Sequence, residues 1–225
     1  DSLILKVIKV KCEEMEKCKQ LKKKMDNVKK NSLKNILVNK YCTKIINIKT
    51  INNLDLIFFE YIDGYDLKDY IINNNLSEND LNIIYLKCLI SIKVFHKILD
   101  YSHRDIKLKN FIYDKKNNNI KIIDYGFICN RKDKKCYNKY QGTAHYIHPY
   151  MNKKFSNIGL SKKNNINSNN KNISFSNNNI KSKKIYKYPN SISQDLFSSL
   201  IIFIKLVYIY NHKNNINNNL QQYIK

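Results

Sequence analysis

The sequence predicts an α+β fold, with strands gathered near the amino terminus and long helices after them. Strand-like runs recur at residues 3–10, 36–48 and 54–61. Behind a capping signal at Ser77 the apolar residues then switch to helical spacing. A short apolar run from Ile120 to Asp124, closing on Asp-Tyr-Gly, adds a strand beside the helices. At 225 residues the chain can bury one sizeable core, or two unequal lobes of one domain.

In chain order, Leu3-Ile-Leu-Lys-Val-Ile-Lys-Val reads as a strand, and 12–30 is a charged, helix-compatible stretch with few breakers. Residues 36–48 and Leu54–Tyr61 read as strands. Ser77-Glu78-Asn79-Asp80 is a capping box, in which the Ser side chain accepts from the N3 amide and the Asp reaches back. Leu81, Ile84, Tyr85, Cys88, Leu89, Ile92, Phe95 and Leu99 follow at helical spacing, so a long helix delivers the chain to residue 103. From about Asn152 to Asn190 the composition turns to Asn, Ser and Lys. Such a segment cannot bury enough surface to offset ordering entropy, and it is expected to be a disordered insertion. A second buried helix is expected from Ser193 onward. Its most apolar run, Leu200 to Tyr210, is too short to span a bilayer and carries Lys205 in its middle. No internal repeat is visible.

The formal net charge is +23, nearly all of it lysine, with only two arginines, Arg104 and Arg131. Specific nucleic-acid binders lean on Arg for bidentate contacts, so a solvated Lys surface is the better reading. It still favours acidic substrates by long-range steering. The six cysteines form no C-x-x-C and no zinc-type spacing. Reduced thiols in an intracellular, cytoplasmic setting are expected, with a Cys129–Cys136 bridge as the alternative. The chain opens on Asp1 without a secretory apolar segment, and is expected to be an internal piece of a longer protein.

The scarce residue types of this Asn-, Lys- and Ile-rich chain cluster in a few places. Residues 103–110 read His-Arg-Asp-Ile-Lys-Leu-Lys-Asn, 124–126 read Asp-Tyr-Gly, and 142–149 read Gly-Thr-Ala-His-Tyr-Ile-His-Pro. Asp124 follows Asp105 by 19 positions. These three runs resemble, in order, the H-R-D-x-K-x-x-N catalytic loop, the D-F-G turn and the activation-segment end of eukaryotic-type protein kinases. The resemblance covers nearly the whole chain outside the insertion. It implies a two-lobed fold with a partial β-rich small lobe (1–60) and a partial helical large lobe (61–225, insertion 152–190), ATP and Mg2+ as cofactors, and Ser/Thr hydroxyls of proteins as acceptors. No membrane span is expected, and the oligomeric state stays open.

The resemblance also assigns roles. Asp105 would accept the substrate proton, Lys107 would contact the transferred phosphate, and Thr143 would bond both. Asn110 and Asp124 would ligate magnesium, which prefers hard oxygen donors. Arg104 would secure the activation segment, and His103 would pack. In Phe59-Glu60-Tyr61-Ile62 the Glu60 carbonyl and Ile62 amide would bond adenine, with Phe59 behind it, Ile112 beneath it and Asp66 on the ribose. Lys6, in Leu5-Lys6-Val7, would hold the α- and β-phosphates, with Lys9 as alternate. Glu13, Glu14 and Glu16 are candidate partners for that lysine, Glu16 being favoured. Asp195 would hold the catalytic-loop backbone. There are departures: a Gly-rich phosphate loop would lie before residue 1, Tyr125 replaces Phe, His148 and Tyr150 replace Ala and Glu, and Leu200 replaces a Gly. They keep a non-catalytic scaffold as the alternative, with a small-molecule kinase of related fold behind it. Between Phe127 and Gly142 the only hydroxyls are Tyr137 and Tyr140, so no Ser/Thr phosphorylation is expected there.

Overall fold

The computed structural model describes residues 3–9, 13–52, 54–133, 141–148 and 191–214. The 152–190 segment, Cys12, Cys136, Tyr137, Tyr140, Pro149 and Tyr150 lie outside them, as does the side chain of Lys9.

β1 (Leu3–Lys9), β2 (Ile45–Ile51) and β3 (Leu54–Glu60) form an antiparallel sheet in the order β1-β3-β2. Alternate residues of the central strand, Asp55, Ile57 and Phe59, are buried, as a one-sided strand requires. Asp55 is satisfied on that face by the Thr50 hydroxyl at 2.7 Å. α1 (Glu13–Asp26) lies on this sheet through Met15, Cys18, Leu21 and Met25, a stripe of helical period.

The run 36–48 is not one strand. α2 (Leu33–Tyr41) occupies its first half, and β2 begins only at Ile45. Ser32 caps α2 by accepting from the Asn35 amide at 3.2 Å. Val38 and Tyr41, three apart, are its buried residues. The β-branched residues favour a strand, but the cap and packing against α4 and β7 decide the outcome.

A second sheet joins β4 (Gly64–Asp66), β6 (Phe111–Asp114) and β7 (Asn119–Ile122), in that order. Gly64 faces Asp114 so closely that a Cβ would come 2.0 Å from the Tyr113 carbonyl oxygen. The expected strand at 120–124 is β7, buried along its whole length. Cys42 bridges to Ile122, and the Thr43 amide donates to the Ile122 carbonyl at 3.1 Å, joining the two sheets' neighbourhoods. β5 (Tyr101–Ser102) and β8 (Cys129–Asn130) form a two-stranded ribbon.

Among the described residues three further helices follow: α3 (Leu67–Asn73), α4 (Glu78–Lys97) and α5 (Ser191–Asn214). The capping box of α4 closes in both directions. Ser77 Oγ accepts from the Asp80 amide at 3.2 Å, and Asp80 Oδ2 accepts from the Ser77 amide at 2.9 Å. Leu81, Ile84, Cys88, Ile92, Phe95 and Leu99 enter the core as the spacing predicts. α5 packs on α4 with Ile202, Leu206 and Ile209 inward, and leaves Leu196, Leu200, Ile204 and Val207 exposed. It is thus half buried rather than enclosed. The stretch Ile192–His212 is long and apolar enough to cross a membrane, longer than the run Leu200–Tyr210 suggests. Its buried Gln194, Asp195 and Ser198 bond other parts of the molecule, as suits a core helix.

Cys18, Cys42 and Cys88 are free and buried, but Cys129 is disulfide-bonded, so the thiols are not all reduced as expected. Replacing Ser77 with Ala should remove the side-chain arm of the α4 cap, leave the backbone amide's bond to Asp80 possible, and lower stability by about 1 kcal/mol. The urea midpoint should fall at unchanged slope.

Candidate active site

The loop after β5 is built around one carboxylate. Asp195, fully buried in α5, accepts from the backbone amides of His103 and Arg104, each at 2.7 Å, and faces His96 Nε2 at 2.7 Å. Charge-assisted hydrogen bonds of this kind are short and strong. They hold Arg104 at φ 69°, a left-handed conformation that a side chain disfavours by about 1–3 kcal/mol. The Arg104 carbonyl then turns toward Gln194 Nε2, at 3.2 Å, and toward Gly142. Gly142 has φ +117°, and a Cβ there would lie 2.4 Å from that carbonyl oxygen. Only glycine lets segment 141–148 approach so closely.

That approach delivers Thr143 to Asp105. Asp105 Oδ1 accepts from the Thr143 amide at 2.8 Å and its hydroxyl at 2.7 Å. Lys107 Nζ pairs with Asp105 Oδ2 at 2.8 Å and donates to Thr143 Oγ1 at 2.9 Å. Asn110, in a short turn before β6, donates its amide to the Asp105 carbonyl at 2.7 Å and to Oδ2 at 2.8 Å. Burial raises the carboxyl's pKa, but Lys107, Thr143 and Asn110 outweigh it and hold Asp105 below the usual carboxylate value. Asp105 is therefore an ionised, oriented carboxylate.

A second cluster lies at the end of β7. Asp124, at φ 62°, accepts from Lys6 Nζ at 3.1 Å. Lys6 also pairs with Glu14 at 2.5 Å. Burial disfavours the ammonium, yet the two carboxylates prevail and raise its pKa. The partner of Lys6 is thus Glu14, not Glu16. Glu14 stands four and seven positions before the buried Cys18 and Leu21, on the inner face of α1. Glu16 is exposed and bonds Gln20 at 3.4 Å. The spacing to Cys18 and Leu21 carried that signal in the sequence.

Above this cluster opens a cavity of about 350 Å³ lined by Lys6, Glu60, Ile62, Ile112 and Asp124, with Phe59 behind. Ile4, Leu5, Thr43 and Ile123 line it too. Leu5 and Ile123 adjoin named residues, whereas nothing in the sequence marks Thr43. Asp66 is not among the lining residues. Its Oδ1 caps α3, accepting from the amides of Lys68 at 2.8 Å and Asp69 at 3.3 Å. A carboxylate placed one residue before a helix is drawn to the helix's free N–H groups. The Glu60 side chain, whose role in the sequence was its carbonyl, accepts from the Lys44 amide at 2.9 Å and the nearly buried Lys121 at 2.7 Å.

Of the two residues assigned to magnesium, Asp124 lines the cavity and offers a carboxylate, while Asn110, whose amide nitrogen is committed to Asp105, offers its amide oxygen from outside that lining. Hard oxygens of this kind fit magnesium, which usually takes one or two protein carboxylates and completes its shell with phosphate and water. Among the described residues no group of three or more His, Cys, Asp or Glu gathers as a richer metal site.

Replacing Asp195 with Asn should remove one charged acceptor and turn a donor toward buried N–H groups. A loss of roughly 2–4 kcal/mol is expected. The neighbouring, exposed Leu196→Ala should change the thermal midpoint little.

The family model described as protein kinase domain matches residues 1–156. A probable serine/threonine-protein kinase, fnkB, of Dictyostelium discoideum is 38% identical over 98 residues, 41% of this chain and 18% of that protein. The probable serine/threonine-protein kinase HSL1 of Saccharomyces cerevisiae is 32% identical over 90 residues, 40% of this chain and 6% of that protein. A probable serine/threonine-protein kinase, KIN1 homolog, of Enterocytozoon bieneusi is 37% identical over 70 residues, 31% and 12% of the two chains. The matched part of this chain therefore spans less than a fifth of each of these relatives. The family match nonetheless takes in more than half of the chain, including Lys6, Glu14, Asp105, Lys107, Asn110, Asp124 and Thr143, and the chain belongs to the protein kinase family.

Proposed function

We propose that the protein transfers the γ-phosphoryl group of ATP to Ser or Thr hydroxyls of protein substrates. The observation that carries this reading is the closed arrangement of Asp105, Lys107, Asn110 and Thr143. Phosphoryl transfer asks little covalent chemistry of the protein and a great deal of positioning and charge neutralisation.

Asp105 orients the acceptor hydroxyl and takes its proton as the oxygen attacks. Its depressed pKa keeps it ionised at neutral pH. Lys107, now bridging Asp105 and Thr143, is within reach of the phosphoryl group in flight and offsets its charge. Adenine lies in the cavity against Ile62 and Ile112, with hydrogen bonds to the backbone of Glu60 and Ile62. Lys6, held by Glu14, meets the α- and β-phosphates, and exchanges its contact with Asp124 for them. Asn110 and Asp124 are the residues that would hold magnesium, which when bound neutralises the phosphate oxygens. The surface of +23 charge draws acidic stretches of a protein substrate. A scaffold without turnover finds no support in this set, because Lys6, Asp105, Lys107, Asn110, Asp124 and Thr143 are all present and paired.

The test is transfer of labelled phosphate from Mg2+–ATP to a Ser/Thr peptide library. Asp105→Asn should lower the rate by about 10²–10⁴-fold. Equal rates in the two proteins would remove Asp105 from the mechanism. Glu14→Gln should reduce kcat/KM by roughly 10-fold or more, as expected for loss of a hydrogen-bonded charge pair. Glu16→Gln should stay within about twofold, and the reverse ranking would return the lysine's partner to Glu16.

A further inference from the structure

Tyr125, between the two functional residues of the Asp-Tyr-Gly turn, does more than fill space. Its ring is buried, with centroids 5.5 Å from Phe95, 6.0 Å from Phe59 and 6.2 Å from His103. Its hydroxyl donates to the Thr43 carbonyl at 2.7 Å, with the Ile122 carbonyl further off at 3.3 Å. Thr43 returns the tie: its amide and its hydroxyl donate to that same Ile122 carbonyl, at 3.1 and 2.9 Å. A closed cycle thus links the start of the turn to the junction of α2 and β2, and Thr43 itself lines the nucleotide cavity.

The cycle has strain to oppose. Asp124 sits at φ 62° without being glycine, and it accepts from the partly exposed Lys6 and from the Gly126 amide at 3.4 Å. Relaxing that dihedral would swing the adjoining Tyr125 out of its aromatic nest. A ring with no hydroxyl would resist through packing alone; this one must also abandon a bond to a buried carbonyl.

We propose that the Tyr125 hydroxyl is a positioning group, which locks the Asp124 turn in its strained, cavity-facing conformation by anchoring it to Thr43. The lock rests on these contacts, and its consequence for magnesium–nucleotide binding rests on the function proposed above.

The test compares wild type, Tyr125→Phe and Ser77→Ala, the last as a remote variant of similar stability loss. Without nucleotide, hydrogen exchange of the peptide spanning the turn should speed up about 3- to 10-fold in Tyr125→Phe, the range expected for one lost hydrogen bond. Ser77→Ala should leave it unchanged. In parallel, ADP affinity is measured with and without Mg2+. Tyr125→Phe should lose about 3- to 10-fold of the Mg2+-dependent gain and little of the metal-free affinity. Unchanged exchange in Tyr125→Phe, or equal acceleration in Ser77→Ala, overturns the lock. Equal loss of both ADP affinities overturns its positioning role and leaves only a packing role. Wild type that binds no ADP while exchange still rises in Tyr125→Phe counts against the kinase reading and supports the lock.

Discussion

The carboxylate of Asp195 is the constraint on which the remaining site depends. A buried charge is tolerable only when its lone pairs are filled, and here two backbone amides and His96 fill them. Those amides belong to His103 and Arg104, so the same bonds that satisfy the charge fix the loop. With Arg104 forced to a positive φ, its carbonyl meets Gly142, Gly142 admits segment 141–148, and Thr143 reaches Asp105. A single residue on a helix remote in sequence therefore orders the Asp105 carboxylate through backbone geometry, without touching it.

The second cluster follows a different rule. Lys6, Glu14 and Asp124 are partly exposed, so their mutual attraction is screened and contributes modestly to stability. Its value is positional. Lys6 comes from β1, Glu14 from α1 and Asp124 from the end of β7, so the cluster brings three distant parts of the chain together at the cavity. Glu60 and Lys121 show the contrast: that pair is largely withdrawn from water and ties the cavity's edge to β7.

Around these polar clusters the core is ordinary. Leu81, Ile84, Cys88, Ile92 and Phe95 from α4 meet Ile202, Leu206 and Ile209 from α5 and the strand Asn119–Ile122. Each such side chain gives about 1.5–3 kcal/mol on burial, ample support for a loop held at unfavourable dihedrals. The lysine-rich surface adds no comparable term, since isolated exposed charges pair weakly. It sets the field in which a substrate approaches.

The sequence by itself determined the elements whose signal is local. The capping box and helical period fixed α4, the alternation of Leu54–Glu60 fixed β3, and the scarcity of Gly and Arg made residues 103–110, 124–126 and 142–149 stand out. It also supplied most of the residues that meet at the cavity and around Asp105. Tertiary structure alone decided where local signals conflict or are silent. Residues 33–41 became a helix because packing on β7 and α4 overrode a β-branched composition. Glu14 rather than Glu16 faces Lys6 because the helix can bury only one side. Asp66 caps α3 because the amides of Lys68 and Asp69 lie within hydrogen-bond reach of its carboxylate. Thr43 joined the cavity, and gave Tyr125 its acceptor, through a contact 82 positions away in the chain. A side chain's type sets what bonds it can make; which bond it makes is settled by what the fold places within about 3 Å of it.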